Sequence, residues 1–144
     1  MNAKAAVRLH SPNTLSAPMG YSHVAEVTRG KLVYIAGQVP YDAAGALVGK
    51  DDFKAQLLQI FTNLKHAVEA AGGSFADIVK LNYFCIDRVS PDVMPTVREV
   101  RDQFVNTQAP PASTFVVVSR LVRPEWLIEI EAVAVINPTS EEQA

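Results

Sequence analysis

The sequence predicts a two-layer α+β fold of order β-β-α-β-α-β-β, a mixed sheet with two helices on one face. Three observations carry this. Phe53, Leu57, Ile60, Phe61, Leu64, Val68 and Ala71 recur at steps of three and four, one apolar stripe of a long helix. Val93, Val97, Val100 and Phe104 repeat the pattern on a shorter one. The remaining apolar segments have strand length, and in the last of them Ile128, Ile130, Ala132, Ala134 and Ile136 alternate on one face. Two helices and one sheet make two layers and leave the second sheet face bare.

Taken in order, residues 1–18 carry Ser11, Pro12, Asn13, Ser16 and Pro18 with little periodicity and read as an irregular lead-in. YSHVAEV and KLVYIAG flank Arg29-Gly30, a hairpin signal, the first strand half exposed and the second apolar on both sides, hence central. Residues 37–50, with Pro40, Asp42, Gly45 and Gly49, form a long surface loop of a length that is often functional. The first helix begins at Asp51-Asp52, whose carboxylates oppose the helix dipole, and stops at Gly72-Gly73. A strand over 78–86 places Val79, Leu81, Tyr83 and Cys85 on one face, with Lys80, Asn82 and Phe84 on the other. Pro95 belongs in the first turn of the second helix, which makes Asp92 the expected N-cap. PPASTFVVVSRLVRPEWLIEIEAVAV, 110–135, supplies a final strand pair joined around Arg123-Pro124, and 137–144 is a polar tail.

The chain of 144 residues, 49% hydrophobic, is one domain, 1–144, with material for a real core. A formal charge of −2 without a basic stripe argues against nucleic acid as a partner. No apolar run reaches the roughly 20 residues of a membrane span, and no signal-peptide core opens the chain. The single cysteine excludes an internal disulfide and fits a reducing compartment, so a cytoplasmic location is expected. Three scattered histidines and one cysteine give no metal-ligand spacing, and no metal is expected.

Glu129 and Glu131 share the second face of the last strand with Leu127, Val133 and Val135. A carboxylate on a covered face must find a partner, shift its pKa, or sit beside water in a cleft. A face this apolar is expected to be buried against identical copies in a closed ring, with a site between subunits.

GYSHV at 20–24, IAGQVPYDAAGALVG at 35–49, QLLQIFTNLKHAVEAAGGSFADIVKLNYFCID at 56–87, PPAST at 110–114 and IEIEAVAV at 128–135 together resemble the RidA/YjgF family over residues 17–136. The resemblance implies a chorismate-mutase-like unit, a homotrimer with a β-barrel centre, clefts between subunits, and hydrolysis of reactive enamines and imines without a cofactor. It implies that Glu129 orients the attacking water, and that Tyr21 and Gly37 shape the pocket. Phe84, Arg98, Ser113 and Phe115 complete the candidate substrate contacts. The chain departs from the family pattern at the substrate-clamping arginine, which is Ser113 here. Ala36 stands for the family's serine, Phe115 for a cysteine and Arg98 for an asparagine of the second helix. Loss of the guanidinium weakens carboxylate binding by about tenfold to over a hundredfold, which leaves the substrate open.

Bland readings stand beside these. Glu129 could be an interface carboxylate satisfied by a neighbour's donors, and Glu131 its structural partner. Arg98 is either a replacement guanidinium or a solvated helix charge, with Arg120 and Arg123 weaker candidates for that job. Ser113 either donates to a ligand or caps a strand end. Ser22-His23 is not a nucleophile–base pair, because adjacent strand residues face opposite ways. Cys85 reads as inert core and His66 as surface. Two functions follow: a hydrolytic deaminase acting on C=N bonds at clefts between subunits, or a non-catalytic trimer binding a small metabolite. RNA cleavage, which some relatives carry as a label, fits the acidic balance least.

Overall fold

The structure, a computed structural model, describes residues 4–138. Its strands are β1 (Ala6–His10), β2 (Val24–Arg29), β3 (Lys31–Gln38), β4 (Ile78–Ile86), β5 (Ala112–Val118) and β6 (Ile128–Ile136). Its helices are α1 (Phe53–Ala70) and α2 (Met94–Arg101). The expected seven elements are present in order, preceded by β1. Most of the expected polar tail, 139–144, and the first three residues of the lead-in lie outside the described residues.

The main sheet has the order β3-β6-β4-β5, with β4–β5 parallel and the other pairs antiparallel. β3 and β4 both run against β6 and so are parallel to each other. Parallel strands need a crossover, which α1 supplies between β3 and β4 and α2 between β4 and β5. Both crossovers move the same way along the sheet, so a common right-handed turn puts both helices on one face. The predicted stripe is the buried one: Leu57, Ile60, Phe61, Leu64 and Val68 pack with Ile128, Ile130, Ala134 and Ile136. Asp52 caps α1 by accepting the Ala55 N–H at 3.0 Å. Gly72, at φ +93°, is the left-handed stop.

Several local expectations are corrected. Arg29-Gly30 does not close a hairpin. β2 pairs with β1, inside the segment expected to be irregular, while β3 pairs with β6. Gly30, at φ +140°, turns the chain from one sheet into the other, and a side chain there would run into Val135. β3 is therefore an edge strand, not a central one. An apolar pattern on both sides reports that both faces want cover, which is independent of position within the sheet. β5 and β6 are likewise not neighbours, since β4 lies between them. A register shift between Ile78 and Lys80 turns Ile78, rather than Val79, into the core.

Asp92 is not the cap of α2. Ser90 caps a 3-10 turn, Pro91–Val93, by accepting the Asp92 N–H at 3.2 Å, and α2 continues straight out of that turn. The preceding turn makes a side-chain cap at Val93 unnecessary. Pro95 does sit in the first turn.

Residues 37–50 fold back on themselves through a Tyr41–Leu47 bridge, with Asp42 accepting the N–H groups of Ala44 and Ala46 at 2.9 Å each. Gln56 anchors this loop from below. Fully buried, it donates to the carbonyls of Gly49 at 3.0 Å and Glu125 at 2.9 Å and accepts the Leu127 N–H at 2.9 Å. One amide thus ties α1 to both the 37–50 loop and the entry to β6. Gln56→Leu strands a buried N–H and two carbonyls and is expected to cost about 2–3 kcal/mol, read from urea unfolding midpoints. A loss under about 0.5 kcal/mol would show that the bonds are replaced by water.

Candidate active site

The open sheet face carries the acid. Glu129 lies opposite Phe84 on β4, and Glu131 opposite Asn82, which donates to Glu131 Oε1 at 3.2 Å. Glu131 thus has a partner on its own face. Glu129 has no hydrogen bond among the described residues, and its pKa is raised, first by burial and second by the charge of Glu131. Gly37 lies where the β3–β6 register shifts between Ile35 and Gln38. A bulge here brings backbone against the carboxylate, and a Cβ on Gly37 would overlap Glu129 Oε1. Leu32 and Tyr34, on the same face, are 53% and 77% exposed, as expected for a sheet face without a second layer.

The other candidates gather on the helix side. A cavity of about 490 Å³ between α2, the β4–β5 edge and residues 16–21 is lined by Tyr21, Arg98, Ser113 and Phe115. Phe115 stacks on Tyr83, ring centroids 5.4 Å apart. Residues 16–23 are held against the start of β5 by Ser22, whose hydroxyl donates to the Pro110 carbonyl at 2.6 Å and whose N–H donates to Pro111. His23 instead pairs with the Ser16 carbonyl at 2.8 Å, so Ser22 and His23 serve separate partners. Arg98 faces the cavity, its Nη2 3.9 Å from the Met19 sulfur. Arg120 and Arg123 lie in the β5–β6 connection, away from it.

The structure therefore divides the predicted site residues. Glu129, Gly37 and Phe84 sit on one side of the sheet; Tyr21, Arg98, Ser113 and Phe115 sit on the other. Within one chain they do not meet.

Sequence reasoning missed Arg101 and Tyr83 as cavity residues. Both line the cavity, and both are buried, 8% and 2% exposed. A signal for Arg101 existed: at about 100° per residue it stands roughly 40° from Val97 around the helix, whereas Arg98 stands roughly 100° away. Cys85 is core, its thiol pushed up to about 11 by burial, and His66 is exposed on α1. No group of three or more His, Cys, Asp or Glu side chains suited to a metal occurs among the described residues. No described helix is long and apolar enough to cross a membrane.

Fold and site together define a class: an α+β domain with paired glutamates on an uncovered sheet face and a cationic cavity behind it. Residues 11–136 match the Endoribonuclease L-PSP family, and the chain belongs to that family, which includes RidA/YjgF. It is 33% identical to protein DfrA of Myxococcus xanthus over 94% of this chain and 99% of that one. It is 32% identical to a 2-iminobutanoate/2-iminopropanoate deaminase of Dermatophagoides farinae, over 90% of this chain and 97% of that one. Among solved structures, YyfB of Yersinia pestis, of the conserved Rid protein family, superposes with a TM-score of 0.82 at 36% identity, covering 90% of this chain and 98% of that one.

Proposed function

We propose that the protein is a hydrolytic deaminase of reactive enamines and imines, working at clefts where Glu129 of one copy meets the helix-side cavity of another. The observation that carries this is Glu129 itself: half-buried, without a hydrogen bond among the described residues, its pKa raised, and with the Gly37 backbone close against its carboxylate. A carboxylate so placed takes a proton from water and returns it, since a raised pKa brings the acid closer to the operating pH. An enamine first tautomerises to its imine. Water then adds to the C=N carbon, its proton passing through Glu129 to the imine nitrogen, and a carbinolamine forms. Glu129 next takes the carbinolamine hydroxyl proton and delivers it to the nitrogen, so that the C–N bond breaks, ammonia leaves and the carbon becomes a ketone carbonyl. The deaminase named among the relatives is consistent with this chemistry.

The division of candidates between two sheet faces supports an assembly, because only a second copy can bring the faces together. The exposed Leu32 and Tyr34 supply apolar area for such a contact. The test is a coupled assay in which a dehydratase generates 2-aminoacrylate and pyruvate appearance is followed. Faster pyruvate formation with added protein, from a species of trimer mass in light scattering, is the expected result. Saturable ligand binding without any acceleration would support the non-catalytic reading instead. A monomer at micromolar concentration would remove the shared cleft.

A further inference from the structure

Glu129 is not alone on its side of the sheet. Glu131 follows two positions later on the same strand face, which puts the two Cα atoms about 7 Å apart. Like charges this close work against each other, and each makes the other harder to ionise. The pair is also unequal. Asn82, directly across on β4, donates to Glu131 Oε1 at 3.2 Å, whereas Glu129 has no hydrogen bond among the described residues.

The kind of donor matters. A lysine or arginine across from Glu131 would hold it and cancel its charge; the Asn82 amide holds it and leaves the charge in place. Lys80, two residues before Asn82 on the same face of β4, directs its ammonium to the Thr114 hydroxyl at 2.8 Å. It forms no ion pair with either glutamate among the described residues. From β3 the face carries Tyr34, which lies opposite Val133 rather than beside Glu129. Glu131 is thus the charge that Glu129 meets along its own strand, and it adds to burial, the larger cause, in raising the Glu129 pKa.

We propose that Glu131 and Asn82 are positioning residues of the hydrolysis: Asn82 fixes the second carboxylate beside Glu129, and that carboxylate makes Glu129 the stronger base for the water proton. Both act through Glu129. The role rests on the deaminase reading, while the electrostatic pairing beneath it is tested separately. A stronger base takes the proton from water more readily, and one that titrates nearer the operating pH still gives it up to the nitrogen.

The experiment takes two readouts. One is the acid limb of kcat/KM for 2-aminoacrylate. The other is the titration of the Glu129 carboxyl by carbon-13 NMR of glutamate-labelled protein, its signal identified by its loss in Glu129→Gln. In Glu131→Gln the amide oxygen still accepts from Asn82, so the charge goes and the shape stays. The proton concentration that half-titrates Glu129 is expected to rise at least about twofold, the effect of one charge about 7 Å away under water-like screening. The acid limb moves to lower pH with it. Glu131→Asp, which keeps the charge, is expected to stay nearer the wild type. Asn82→Ala is expected to shift both readouts the same way by less, and to add nothing in the Glu131→Gln background. An unmoved titration or an unmoved limb in folded Glu131→Gln overturns the proposal, as does an equal shift in Glu131→Asp. An Asn82→Ala shift that persists without the Glu131 charge overturns the part given to Asn82. If the NMR titrations shift as expected but the wild type hydrolyses no imine, the deaminase reading falls and the pairing stands. Hydrolysis with titrations that ignore Glu131 overturns the pairing alone.

Discussion

Glu129→Gln is expected to lower kcat/KM for 2-aminoacrylate hydrolysis by about a hundredfold to ten-thousandfold, the range for removing a general acid–base group. The amide keeps the size of the side chain but cannot carry the proton from water to nitrogen. Stability should move the other way. Because the folded-state pKa of Glu129 is raised, the folded chain holds this proton more tightly than the unfolded chain does. The stability tied to that proton is fully present below the ordinary glutamate pKa and is lost as pH rises through the raised one. Glu129→Gln should therefore melt higher than the wild type at neutral pH and lose that advantage in acid. In the wild type, the acid limb of kcat/KM should fall above the ordinary carboxylate range and vanish in the variant. Loss of activity accompanied by a lower melting temperature at pH 7 would instead mark Glu129 as a structural partner whose removal strands a neighbour.

Gly37→Ala is expected to reduce turnover by about a hundredfold, while the urea midpoint changes little. The added methyl falls on the Glu129 carboxylate, the movable end of a flexible side chain. The fold can yield by swinging that carboxylate aside, and a displacement of about 1 Å at a reacting group costs on the order of a hundredfold in rate. The corresponding check is kcat and KM on the purified assembly, with oligomer mass measured alongside. Full activity in Gly37→Ala would mean the carboxylate position is not critical. Dissociation of the assembly would mean that the glycine serves the contact between copies.

Much of the fold was legible because its signals are local. The α1 stripe, its start at Asp51-Asp52, the Gly72 stop and the alternation of β6 each depend on residues close together in sequence, and each appears where expected. What failed depended on partners far along the chain. β3 looks central because it is apolar on both sides, yet its position is decided by β6, a segment about a hundred residues later. β1 carries almost no periodicity and exists because β2 offers it an edge. Asp92 lost the capping role because the turn at Ser90 precedes the helix, a choice that spacing alone does not reveal.

The candidate site divides along the same line. Sequence by itself determined the family and which face of β6 holds Glu129, since side-chain alternation along a strand is set by backbone geometry. From it also came the expectation that this face is covered from outside the chain. Only the tertiary structure decided that Glu129 and the Tyr21–Ser113 group stand on opposite sides of one sheet, and that Arg101 and Tyr83 meet in one cavity. The reason is physical: the parallel β4–α2–β5 crossover brings a helix over the edge of the sheet, and its packing chooses which arginine is drawn inward. A linear pattern specifies faces; the crossover specifies which faces meet.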